Sequence, residues 1–158
     1  MIGARIVVIG VGNEFRRDDG VGPVVAARVA ELAAPEVRVS RCDGEPTALL
    51  DMWSGTDAAV LIDAVVCAPS SPGRVWRTQA GGLPGRGHTG NSHAIGIAEA
   101  VSLGRVLGRL PRDLVVVAVE AERLDYGVGL SEPVSRAIPE AIDTVLAELV
   151  RLGRPSTR

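Results

Sequence analysis

Three stretches of the chain are almost continuously apolar. Residues 4–10 read ARIVVIG, residues 58–66 read AAVLIDAVV and residues 114–119 read LVVVAV. Runs this short, β-branched and bounded by polar or glycine residues predict strands buried on both faces. Residues 37–42 alternate and predict a further strand, and residues 74–78 a shorter, weaker one. Between them the apolar period changes to that of a helix. From Gly22, residues Val24, Val25, Arg28, Val29 and Leu32 repeat at helical spacing, with Pro23 in the first turn and an end near Ala34, before Pro35. Thr47–Trp53 predicts a short helix with Thr47 as its cap, and Ser92 caps a helix running to Leu107. Glu132–Leu152 carries Ile138, Ile142, Val145, Leu146 and Leu149 on one stripe. Pro133 fits its start, and Pro139 either splits this helix or begins its main part.

Strands that alternate with helices predict an α/β sandwich around a mostly parallel sheet. In such sheets, sites form beyond the carboxyl ends of the strands. The polar residues gather there: the loop after the first strand with Arg16–Asp19, then Asp43, Asp63 and Glu122. Residues 79–91 hold five glycines and no period, a long irregular loop of a kind that often serves function.

At 158 residues the chain suits one domain, expected over 1–153 with a frayed tail at 154–158. Its formal net charge is −2 and its arginines are scattered, which argues against nucleic acid as a partner. No stretch is long enough to span a membrane and no leader is apparent, so the expected location is the cytoplasm. Two cysteines, Cys42 and Cys67, make no disulfide framework and are expected as buried, reduced thiols.

The segment GVGNEF places Gly10 and Gly12 after a strand, as a dinucleotide loop does, but Phe15 stands where the third glycine belongs. Asp18 and Asp19 just before the helix would repel a pyrophosphate, so no nucleotide is expected. Asp19, Asp63 and His93 come from three strand-end regions that the fold should bring together. Two carboxylates and an imidazole suit a borderline cation such as nickel or zinc and leave positions open for substrate. At this level other readings stand beside that one. Asp63 can cap a helix, Asp18 and Asp19 can be a solvated loop, and His88 and His93 can be structural.

An ordered set of motifs then narrows the reading. GVGNEFRRDDGVG at Gly10–Gly22 resembles the opening signature of the hydrogenase maturation proteases, endopeptidases of nickel–iron hydrogenase assembly. Asp43–Gly44, LIDAV around Asp63, SHAIG from Ser92, VAVEAE ending at Glu122 and GLS at Gly129–Ser131 follow at that family's spacing. The resemblance implies a three-layer α/β/α sandwich of phosphorylase/hydrolase-like type, with a twisted five-stranded sheet and one antiparallel strand. It implies that Asp19, Asp63 and His93 are the metal-binding and catalytic positions, with Asp18 supporting the loop. It also implies the reaction: removal of a C-terminal peptide from the large-subunit precursor, with nickel supplied by that substrate. The acidic pair has led some classifications to place such enzymes with aspartic proteases.

The chain departs from the family at Glu45-Pro46, where relatives carry small residues, which makes this segment stiffer and more acidic. Glu122 is read either as a contact to substrate or the His93 loop, or as a surface acid. His88 is read as a solvated loop residue or a cleft residue. Trp76 and Tyr126 are read as packing or as part of a groove. A monomer that meets a much larger precursor is expected. The second class of function is a nickel-checking chaperone that binds the precursor without cutting it.

Overall fold

The computed structural model describes residues 3–79 and 92–153, with the backbone alone for 92–95. The chain runs through β1 (Ile6–Val11), a 3-10 turn at Arg17–Gly20, α1 (Val21–Leu32), β2 (Arg38–Cys42), α2 (Pro46–Trp53) and β3 (Ala58–Val65). It continues through β4 (Val75–Gln79), α3 (Ser92–Leu107), β5 (Asp113–Glu120) and α4 (Glu132–Gly153). The glycine-rich stretch from residue 80, His88 within it and the tail at 154–158 lie outside the described residues.

The strands form one sheet in the order β2-β1-β3-β5-β4. β2, β1, β3 and β5 are parallel, and the short edge strand β4 runs antiparallel to β5. Helices cover both faces, which gives the expected three-layer α/β/α sandwich. Side chains alternate across the sheet with period two. Ile6, Val8, Val60, Ile62 and Val117 pack under α1 and α4, whereas Val7, Ile9, Leu61, Val116 and Ala118 pack under α2 and α3. Every residue of β1 and β3 is buried, which is why their sequences carry no polar face to alternate with.

Several boundaries differ from the sequence reading, each for a local reason. α1 stops at Leu32 because Ala33 is already extended, with ψ 158°. α2 begins at Pro46, and its cap is Glu45 rather than Thr47. The Glu45 carboxylate accepts the N–H groups of Thr47 (3.1 Å) and Ala48 (2.9 Å), while the Thr47 hydroxyl donates to it from inside the first turn. Pro46 sits where no N–H is needed. α4 passes through Pro139 without a break, since Val134, Ala137, Ala141 and Ile142 bury the helix on both sides of the proline. Packing there outweighs the hydrogen bond that proline cannot make.

Candidate active site

β1 leads through α1 to β2 on one side, while β3 lies on its other side. The carboxyl ends of β1 and β3 therefore flank the point where strand order reverses, the place where open α/β sheets hold ligands. Gly22 brings α1 down onto that edge. A Cβ there would overlap the carbonyl oxygens of Val11 and Ile62, so only glycine lets the helix start so close to both strands.

Asp19 lies in the 3-10 turn between β1 and α1 and is 2% exposed. Its Oδ2 accepts the Asn13 N–H at 2.9 Å, and its own N–H donates to the Arg16 carbonyl at 3.0 Å. Asp63 lies near the end of β3 and is 1% exposed, with Oδ1 accepting the Ala64 N–H at 2.8 Å. The Asp19 turn rests against β3, which sets both acids at this edge of the sheet, where open α/β sheets form their crevice. In the pleat, Asp63 follows Ala59 and Leu61 toward the α2–α3 side. α3 begins on that side, with His93 as its second residue. A Cβ on Gly96 would overlap the Gly44 carbonyl, so the first turn of α3 is seated on the loop after β2, at the same sheet edge. The His93 side chain lies outside the described atoms. Among the described residues no group of three His, Cys, Asp or Glu side chains gathers around one point.

Asp18 supports the loop, as expected, and the structure shows how. It is fully buried. Its carboxylate accepts the N–H groups of Glu122 (2.8 Å), Arg123 (2.8 Å) and Ser131 (2.7 Å), and the Ser131 hydroxyl at 2.8 Å. Its own N–H donates to the Arg123 carbonyl at 3.0 Å. One side chain thus ties the segment beyond β5 to the turn that carries Asp19. The roles of Ser131 and of the Glu122 and Arg123 main chain were missed in the sequence. The motifs VAVEAE, ending at Glu122, and GLS, ending at Ser131, were the signal for them. The Glu122 side chain itself is exposed.

The other candidates separate. Trp76 is a packing residue: its Nε1 donates to buried Glu120 at 2.7 Å, and the Arg74 guanidinium lies 3.9 Å from its ring centroid. Tyr126 is 84% exposed, which removes the packing reading. Cys42 is buried, and its Sγ accepts the Gly44 N–H at 3.3 Å. Burial pushes its thiol up, helped by the Asp43 carboxylate. Cys67 is half-buried rather than buried, and burial followed by the charge of Glu120 pushes it up as well. Both are poor nucleophiles at neutral pH. Asp43 closes its own turn, accepting the Glu45 N–H at 3.1 Å.

A family model described as hydrogenase maturation protease matches residues 28–148. The chain belongs to the hydrogenase maturation protease family. It is 31% identical over 153 residues to the hydrogenase 2 maturation protease of Escherichia coli K12, covering 94% of this chain and 93% of that protein. It is 28% identical to the hydrogenase expression/formation protein HupD of Bradyrhizobium diazoefficiens, over 94% of this chain and 80% of the relative. The hydrogenase maturating endopeptidase HybD of Escherichia coli superposes with a TM-score of 0.85 at 27% identity, covering 94% of each chain. HybD of Thermococcus kodakarensis shares the fold, with a TM-score of 0.73 at 23% identity. The protein is therefore a peptidase, a maturation protease by family. The matched model contains Asp63 and His93 and starts after Asp19, so the case for Asp19 rests on its place beside β3.

Proposed function

We propose that this maturation protease removes a C-terminal peptide from the nickel-loaded precursor of a nickel–iron hydrogenase large subunit. The observation that carries the reading is the burial of Asp19 and Asp63 at one sheet edge, beside the strand-order reversal. Nickel belongs to the substrate in this account, and a divalent ion polarises a carbonyl and acidifies bound water. Asp19, Asp63 and His93 dock onto that substrate metal and hold the scissile bond beside it. One of the two aspartates takes the proton of the attacking water. The water oxygen bonds to the carbonyl carbon, the C–N bond breaks, and the released amine takes up a proton. A symmetric aspartic dyad sharing one proton is the weaker reading, because the two carboxylates sit in different hydrogen-bond settings, one on a turn and one on a strand.

The working form is a monomer in the cytoplasm that meets a larger folded partner. No helix among the described residues is long and apolar enough to cross a membrane. The Glu45 cap and Pro46 hold the loop beside Gly96 in one shape, which narrows the choice of precursor. The test is the intact mass of a candidate precursor before and after adding the protein, with nickel-loaded and nickel-free samples in parallel. A discrete C-terminal loss in the nickel-loaded sample alone is expected. Binding of the precursor with no loss of mass would replace hydrolysis by the chaperone reading.

A further inference from the structure

The loops beside the crevice end in an apolar tip. Phe15 is 66% exposed, Tyr126 84% and Val128 74%. The remaining aromatic side chains of the chain, Trp53 and Trp76, are buried or half-buried. The tip is built rather than loose. Arg16 and Gly127 form a parallel bridge, in which the Arg17 N–H donates to the Gly127 carbonyl and the Gly127 N–H to the Phe15 carbonyl, each at 2.9 Å. The flanking charges are satisfied within the loops. Asp125 pairs with both Arg17 and Arg123, and Arg16 lies 5.9 Å from the Tyr126 ring centroid. A rigid apolar tip inside a paired polar rim is the anatomy of an interface hot spot.

We infer that Phe15, Tyr126 and Val128 dock the peptidase onto apolar pockets on the folded surface of its precursor, next to the bond to be cut. This rests on the peptidase reading above. Two features select that occupant over a second copy of the chain. Phe15 shares the connection between β1 and α1 with Asp19, and the Tyr126 loop is bridged to it, so a second copy seated there would cover the edge the substrate must reach. Three side chains of this exposure offer roughly 400 Å², well under the about 800 Å² per partner of a stable dimer. That area suits an encounter that must release its product.

The test compares wild type with Phe15→Ser/Tyr126→Ser for affinity to the nickel-loaded precursor and for cleavage kinetics. Val128→Ser serves as an independent variant, and thermal unfolding confirms that each is folded. The expected result is a Kd and KM raised by about tenfold or more with kcat unchanged. Unchanged Kd and KM would overturn the docking surface, as would a wild type that binds no precursor. So would a wild-type dimer that the double variant dissociates. Wild type that binds through the tip but leaves the precursor uncut would support the docking surface and remove the hydrolytic reading.

Discussion

Asp18 and Asp19 are consecutive and both buried, yet they serve different ends. Arg17 before them takes a left-handed φ of 46°, costly for a residue with a Cβ, and is held there by its N–H bond to Gly127. Asp18 then meets its four donors from the far loop, while Asp19 meets Asn13 and lies beside β3. Removing the Asp18 carboxylate takes the acceptor from three part-buried N–H groups, each worth about 1 kcal/mol. Asp18→Ala should therefore lower stability by about 3 kcal/mol in urea unfolding. Asp19→Asn should leave stability within about 1 kcal/mol, because the amide oxygen can still accept from Asn13. Equal stability of Asp18→Ala and wild type would mean that the far loop is held by something else. The adjacency of two acids was legible in the sequence. Their division of labour was not, because the partners of Asp18 lie more than a hundred positions away.

At the scale of elements, α3 and β4 carry the sharpest expectations. Gly96 lets the first turn of α3 sit on the Gly44 carbonyl. Gly96→Ala must push that turn, and His93 with it, off the loop after β2. A fall in kcat with the rest of the fold intact is expected, and a fully active variant would disprove the seating. β4 is anchored to α4 through Glu148, which accepts from Arg77 and Arg151 at 2.9 Å each. Burial pushes the Glu148 carboxyl up, but the hydrogen bonds of Arg151 and Arg77 outweigh it and hold it below its ordinary range. A lowered folded pKa stabilises above the unfolded value of about 4.3 and is lost as pH falls through the folded value. Wild type should lose stability below about pH 4 more steeply than Glu148→Gln. Parallel pH curves in urea unfolding would contradict this. β1, β3 and β5 were legible because strands buried on both faces read as unbroken apolar runs. The cap of α2 was misread because Thr47, a good capping residue by type, donates to Glu45 instead. The path of α4 through Pro139 depends on buried contacts on both sides, which a local rule about proline does not contain.

For the whole molecule, the order β2-β1-β3-β5-β4 brings the ends of β1 and β3, and the two acids beside them, to one edge. The placement of Asp19 and Asp63 at one edge was legible, because strand ends and a recognisable motif set pointed there. The exposed tip at Phe15 and Tyr126 was not, since only the fold zips their two loops together. The central claim is that these buried carboxylates cut the precursor. The most direct measurement is the single-turnover rate of C-terminal loss from nickel-loaded precursor for Asp63→Asn, which keeps the side chain's shape and its Oδ1 acceptor for Ala64. The account predicts a rate at saturating precursor lower by about 10³-fold, with thermal stability near that of wild type. Cleavage by Asp63→Asn at close to the wild-type rate would contradict it.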